Sequence, residues 1–599
     1  MSYVSIRTQV HNTGANDLAE PLLLHHTQEP MGQSTQDSDQ DRVTRPLDQD
    51  IDEETKNEQA LIYRILGFPK PIGCPGYFLL SSSLLHMAML SNLATSYNVI
   101  NVGYVLDLIA NSNKTYAAQR SSSSDGLCAS SLLFGMVLGQ LCGGVLGDRM
   151  SRQRALLLVI CIQVASAFGS SMLVFDLGDN LTIYDTLAFW RFFLGLGCGG
   201  VYPLAATMTS ELVSSSANHH EEWLNDEVFA SKVKSKLVAI TFSTQGLGFL
   251  LVPLVTWTIV SILDADSSAR MSGIAWRSIL VIGCIPGLLV LVLQAFATRH
   301  GSYERMQEEK IPGYGNKAPS PVQLPSQSAP VPRAVDVSWM EADSDDEQSD
   351  SDLRGSHIAF SVWTAIRNEP NIGRKLGGTA LCWFLFDVLF YGNTLFTPVV
   401  LKQAFGSSET VASTAHDAFI LTLFALPGYI LSVLTLGRIL SPKWVQMQGF
   451  ATMGILYLII GVEFKVIEQF KMALLILYGM TFMFANWGPN TTTFMLPSLT
   501  FSKECRSTLN GISAASGKMG ALLGSTAFEP VAKRYGDAIV MILCAGVSAV
   551  GFLLTFLCLE SDKSRTRTDS PSQNEAAAHQ QNQRIVSHGL SIGQDNGII

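Results

Sequence analysis

Residues 127–175 read LCASSLLFGMVLGQLCGGVLGDRMSRQRALLLVICIQVASAFGSSMLVF. Two apolar runs, near 127–147 and 155–175, flank a short loop that holds Asp148, Arg149, Arg152 and Arg154. Each run is about 20 residues long, the length that crosses ~30 Å of hydrocarbon at 1.5 Å per residue. The runs are continuous rather than alternating, which fits membrane helices and not the strands of a barrel. A helix, a tight basic loop and a second helix are therefore expected here.

Outward from this hairpin the pattern repeats. Runs near 79–106, 184–208, 237–262 and 277–297 complete a first set of six. A second set lies near 376–402, 418–438, 447–466, 471–496, 508–530 and 537–559. The expected fold is an all-α membrane protein with twelve transmembrane helices in two six-helix bundles, the substrate sitting near mid-membrane between them. The composition agrees, with 47% hydrophobic and only 15% charged residues, against about 25% charged in soluble chains. Charge crowds into the ends and the middle, giving five expected segments: a largely disordered cytoplasmic tail at 1–70, a first bundle at 71–300, a disordered cytoplasmic linker at 301–372, a second bundle at 373–560 and a cytoplasmic tail at 561–599. The linker contains EADSDDEQSDSD, too charged to fold alone, with Ser344, Ser349 and Ser351 as candidate phosphorylation sites.

Two observations orient the chain. Arg149, Arg152 and Arg154 in one loop, and Lys563, Arg565 and Arg567 after the last span, mark the cytoplasmic side by positive-inside bias. The sequons at Asn113 and Asn180 then fall in external loops where glycosylation is possible, whereas the one at Asn490 lies inside a span. The polar, acidic residues 1–60 do not read as a cleavable signal. Glu20-Pro-Leu-Leu-Leu loosely resembles an acidic dileucine sorting signal; the plasma membrane is the expected location, with a vacuolar or endosomal membrane as the alternative.

Several classes are excluded. The net charge of −10 comes largely from tails and loops, and no basic stripe suits nucleic acid. The ten cysteines are scattered, form no CxxC pair and keep no metal-ligand spacing with histidine. No nucleophile–base pairing or phosphate-cradling glycine loop stands out, so no enzyme, cofactor or metal is expected.

The spans carry few ionisable residues. They are Arg191 in WRFFLGLGCGGVYPLAATMTSE (190–211), Asp387 in WFLFDVLFYG (383–392) and Lys518 in RSTLNGISAASGKMGA (506–521). Intramembrane charges face a pathway or a partner because they are costly in lipid. Trp383, Asp387 and Tyr391 recur at i, i+4 and i+8 and so share one helix face. Tyr202, Gln245, Tyr391 and Asn490 add hydroxyl and amide donors, and Lys518 a compact cation. Such a set suits a tetrahedral oxyanion. A purely structural Asp–Lys pair, and an Arg191 that bonds neighbouring helices, are the plainer alternatives. Glu211, at the cytoplasmic end of the same span, is a candidate distant relay, and Arg191 and Glu211 are candidate intramembrane charge support.

GVLGDRMSRQR (144–154) resembles the signature of the major facilitator superfamily that follows its second span. Gly144 would let helices approach, Asp148 would meet a facing helix end, and Arg149 and Arg152 would hold the loop inside, a gating role. The second half keeps only Gly437-Arg438. Together with FANWGPNTTTFMLP (484–497), the stretches quoted above resemble the phosphate:proton symporter family of that superfamily over nearly all twelve spans. That resemblance implies a phosphate site formed by Tyr202, Gln245, Trp383, Asp387, Tyr391, Asn490 and Lys518, all present. It also exposes a departure. The family's acids in spans one and four are replaced by Thr95, Asn98 and Val201, none of which titrates in the working range. The expectation is a phosphate transporter whose partners are phosphate and the lipid bilayer, with coupling to protons or to another ion in doubt. Transport of another small anion or organic solute, and phosphate sensing without transport, stand as alternatives.

Overall fold

The computed structural model describes residues 82–173, 182–217, 227–296, 362–394, 410–467 and 469–560, with single positions at 397, 400, 401, 405 and 406. The expected tails at 1–70 and 561–599, most of the linker at 301–372, the sequon at Asn180 and the Glu20 motif lie outside these residues. Within them the chain is helical throughout, and no strand occurs.

The first bundle is built from Ser83–Ile100 with Val102–Ser112, then Ser122–Arg149, Arg152–Met172, Ile183–Ala217, Glu227–Leu263 and Ala269–Phe296. The second follows Ile372–Leu376 with Cys382–Thr394, Val411–Thr435, Pro442–Val462, Lys471–Asn486 with Pro489–Thr500, Arg506–Tyr535 and Asp537–Cys558. These are spans one to twelve. Among the described residues nine helices are long and apolar enough to cross a membrane, and the bent pair of span one makes a tenth. The other two are informative. Span seven is interrupted by a π-helical turn, Gly377–Leu381. Span eleven is long, but Asn510, Ser513 and Lys518 interrupt its apolar surface.

Small residues set how closely the spans pack. A Cβ on Gly195 or Gly199 of span four would meet backbone carbonyls of Leu132 or Met136 in span two at 2.2 and 2.3 Å. Spans seven and eleven approach the same way: a Cβ on Gly520 or Gly524 would meet the Phe384 or Val388 carbonyl at 2.2 or 2.3 Å. Contact of backbones at this range replaces side-chain interdigitation where lipid supplies no hydrophobic drive.

Three features differ from the sequence reading. Spans one and ten are broken. The first bends by 45° at Asn101, and the second parts at Trp487-Gly488-Pro489, where proline starts a new helix. Spans five and eight begin earlier than expected, at Glu227 and Val411 instead of 237 and 418. Lys236 and Asp417 thereby join the buried ionisable residues; the polar ends of both helices concealed them. The linker also ends before residue 372. Residues 362–368 are helical, and the following Glu369 is buried, accepting from Lys375 Nζ at 2.5 Å and Ser502 Oγ at 2.7 Å. Burial opposes charge on Glu369, but these donors outweigh it and hold its carboxyl below the ordinary value. Its charge had marked the segment as solvated; a paired buried carboxylate is instead an anchor.

Candidate functional site

Span seven places Trp383, Asp387 and Tyr391 on one face, turned toward span eleven. Gly517, Gly520 and Gly524 bring the two helices so close that Lys518 reaches across. Its Nζ donates to Asp387 Oδ2 at 2.7 Å and to Tyr391 Oη at 3.1 Å, and it lies 4.6 Å from the Tyr391 ring centroid. Both charged residues are sealed from solvent, Lys518 at 3% and Asp387 at 2% exposure. A buried pair holds only with good geometry and further hydrogen bonds, which Tyr391 supplies here.

The break in span ten puts Asn490 at the start of a helix. There it donates to Asn486 Oδ1 at 2.7 Å and to Tyr429 Oη at 3.2 Å. From the first bundle, Tyr202 donates to Gln245 Oε1 at 3.4 Å, and its ring meets Trp383 edge-on at 6.5 Å. The structure brings all seven expected residues, Tyr202, Gln245, Trp383, Asp387, Tyr391, Asn490 and Lys518, to the wall of one cavity between the halves. Phe242 and Phe390 complete the lining, and Tyr429 stands behind Asn490. These three aromatic residues escaped the sequence reading because phenylalanine and tyrosine in a span carry no signal apart from packing. The cavity has room for about one water. An oxyanion entering it has to part the groups that now touch.

Of the three positions where acids were expected, Asn98 stands at a second buried centre, around Arg191. Arg191 is fully buried and donates to the Asn98 and Val99 carbonyls and to Asn101 Oδ1, each at 3.1 Å. These are the last carbonyls before the bend in span one, so the guanidinium caps a helix end. Asn98 Nδ2 is committed to the carbonyls of Ala94 at 2.9 Å and Gly283 at 2.8 Å. Thr95 and Val201 are wholly buried. Among the described residues Arg191 forms no ion pair.

The motif at 144–154 lies at the basic-loop end. A Cβ on Gly144 would meet the Ser507 carbonyl at 2.7 Å, so spans two and eleven touch there. Asp148 Oδ1 accepts from the Ser507 amide at 3.1 Å, and Oδ2 from the Thr508 amide at 2.7 Å. Arg152 Nη1 donates to Asp148 at 2.7 Å and to the Gly147 carbonyl. Glu211 stands with this group rather than beside Arg191: it accepts from Arg152 and from Arg506 Nη1, the latter at 3.1 Å. Arg149 is exposed. The motif thus ties the two halves together at one face.

The family model of the Major Facilitator Superfamily matches residues 78–525. A probable inorganic phosphate transporter 1-9 of Arabidopsis thaliana is 29% identical over 479 residues, covering 74% of this chain and 84% of that protein. A putative inorganic phosphate transporter 1-13 of Oryza sativa subsp. japonica is 30% identical, covering 78% and 86%. Low affinity inorganic phosphate transporter 4 of Medicago truncatula is 29% identical, covering 72% and 79%. Among solved structures, the proton:xylose symporter XylE bound to 6-bromo-6-deoxy-D-glucose superposes with a TM-score of 0.55 at 18% identity, covering 79% of this chain and 94% of that one. A partially occluded inward open form of XylE from E. coli gives 0.53 at 16%, covering 80% and 98%. At that identity the likeness is one of fold.

Proposed function

The chain belongs to the major facilitator superfamily, and from that premise we propose that it carries inorganic phosphate across a membrane by alternating access, without proton-driven accumulation. The observation that carries this reading is the buried Lys518–Asp387–Tyr391 group in a cavity lined by phenol and amide donors. Lys518 supplies positive charge. Tyr202, Tyr391, Gln245 and Asn490 supply donors for several oxygens at once. The relatives named as inorganic phosphate transporters support the same substrate.

Asp387 narrows the choice of anion. An ionised carboxylate only accepts hydrogen bonds, so an oxyanion beside it has to present a hydroxyl. Phosphate and arsenate keep a protonated oxygen at neutral pH; sulfate does not.

Coupling is read from the three replaced acids. Asn98, Thr95 and Val201 offer no exchangeable proton in the working range, and Asn98 already donates to two carbonyls. Among the described residues that line the cavity Asp387 is the one acid, and it is held in an ion pair by Lys518. Phosphate then moves down its own gradient, in either direction.

The test uses purified protein in liposomes, following labelled phosphate with imposed pH, Na⁺ or zero gradients. Phosphate is expected to equilibrate without accumulating, with arsenate competing and sulfate not. Uphill uptake from an acidic exterior, abolished by a protonophore, would overturn the coupling. Uptake driven by Na⁺ would point to another cation. Flux of sulfate or a sugar in place of phosphate would overturn the substrate, and binding without flux would make the protein a sensor.

A further inference from the structure

Span eight is held by the first bundle at both of its ends. At its amino end, Asp266, from the loop between spans five and six, accepts from the Val411 amide through Oδ1 at 3.0 Å and from the Ala412 amide through Oδ2 at 3.1 Å. The next amide, Ser413, goes to the helix's own cap, Thr410 Oγ1, at 3.2 Å. At its carboxyl end, the buried Lys236 of span five donates to the carbonyls of Val433 and Leu434. An acid thus meets the positive end of the helix and a cation the negative end.

The Asp266 contact repeats the chemistry of Asp148 on the opposite face. In both, a carboxylate of the first half spreads its two oxygens over two successive amides that open a helix of the second half: Ser507 and Thr508 for Asp148, Val411 and Ala412 for Asp266. Asp148 sits at the basic-loop end and Asp266 at the other. Its loop is preset: Asp264 has a left-handed backbone (φ 49°), the Ala265 amide bonds to the Val260 carbonyl at 3.0 Å, and Ser272 Oγ donates to the Ala265 carbonyl at 2.7 Å. A second observation points the same way. Val411, with Ala412 packed beside it, joins an apolar cluster otherwise formed by first-half residues such as Ile109, Val260, Ala265 and Trp276. The amides that Asp266 holds belong to the residues that plug this cluster.

We infer that Asp266 is the extracellular gate residue. It closes the cavity to the outside by the contact that Asp148 makes inside, with Val411 as the seal. Each carboxylate has to release its pair of amides before the cavity opens on its own side. Lys236 acts with Asp148: it ties span eight to span five at the cytoplasmic end and leaves the outer end free to part. The inference rests on alternating access and not on the identity of the substrate, so it stands or falls apart from the phosphate reading.

The experiment reads accessibility in intact cells without any substrate. Phe249→Cys, one turn outward from Gln245 and stacked on Phe390 at 6.2 Å, reports on the outer vestibule when a membrane-impermeant thiol reagent is added outside. Protein lacking this cysteine sets the background from native thiols. Added to the reporter, Asp266→Ala is expected to speed labelling about tenfold, the effect of losing helix-end bonds to a charged acceptor. Val411→Pro removes one of the two amides from the other side of the contact. Proline is well tolerated at a first helical position, so the helix survives and labelling should again rise. Asp148→Ala should give no rise from outside. Unchanged labelling in both Asp266→Ala and Val411→Pro would overturn the inference, as would an equal rise in Asp148→Ala, which would mean general loosening in place of a sided gate.

Discussion

Replacing Lys518 with alanine tests the site at its anchor, and the size of the effect follows from the geometry. Its Nζ is within 2.7 Å of Asp387 and 3.1 Å of Tyr391, in a cavity closed to solvent. Truncating one partner of a buried hydrogen-bonded charge pair costs roughly 2–5 kcal/mol of binding. At about 1.4 kcal/mol per tenfold, phosphate affinity should fall by ~30-fold to ~4,000-fold. The upper part of that range is favoured, because Asp387 then faces the incoming anion uncompensated. The same change leaves Asp387 buried without its cation, which costs about 3–5 kcal/mol of stability. Binding and folding therefore have to be separated. Lys518→Met combined with Asp387→Asn removes the stranded charge, and should recover most of the lost stability while remaining unable to bind. The assay is equilibrium binding of labelled phosphate to purified protein, with thermal unfolding recorded on the same samples. Lys518→Ala protein that is folded and binds phosphate within a few-fold of wild type would refute the oxyanion site.

Three further outcomes are expected. Val201→Asp should make phosphate flux in liposomes depend on pH where wild type depends weakly; no new dependence would mean that the missing acid does not set the coupling. Gly144→Val should hold spans two and eleven apart, since even a Cβ would meet the Ser507 carbonyl at 2.7 Å; exchange should drop at least tenfold with protein still at the membrane, and normal exchange would remove Gly144 from the gate. Glu369 has a folded-state pKa below its ordinary value, so its contribution is fully present above about pH 4.5 and is lost as pH falls through the lowered value. Glu369→Gln should thus unfold at a lower temperature than wild type at pH 7, the gap closing on acidification; a gap that does not change with pH would refute the buried ion pair.

Legibility varied with the kind of signal. Helical periodicity put Trp383, Asp387 and Tyr391 on one face, and the structure keeps them there. The cost of intramembrane charge joined Lys518 to that set, but the closeness of spans seven and eleven was not legible, because it depends on Gly517, Gly520 and Gly524, and glycine is an ambiguous letter. Hydropathy found all twelve spans yet erred at their ends, since a helix continues into polar sequence without changing its backbone. Lys236 and Asp417 were lost for that reason. Asp266 sat in an ordinary polar loop, and its importance appears only once the start of span eight lies beside it. Glu369 shows the reverse error, a charge taken for a sign of solvation. Asn98 was legible as a departure, but its two carbonyl partners lie on different helices, one of them 185 residues away.

The pairing of Asp387 with Lys518 also has a consequence for synthesis. The two are separated by 131 residues, which a ribosome adding ~5–20 residues per second takes about 7–26 s to supply. During that interval span seven is already made and its acid has no cation, at an insertion penalty of roughly 2.5–3.5 kcal/mol if it faces lipid. Span eleven, in turn, is less apolar than the nine helices that, among the described residues, are long and apolar enough to cross a membrane. The nascent second half therefore depends on keeping span seven among neighbours, away from open lipid, until its partner emerges. A ribosome pause between residues 392 and 506 prolongs that dependence, and premature release there yields a chain with an orphaned acid for quality control to remove.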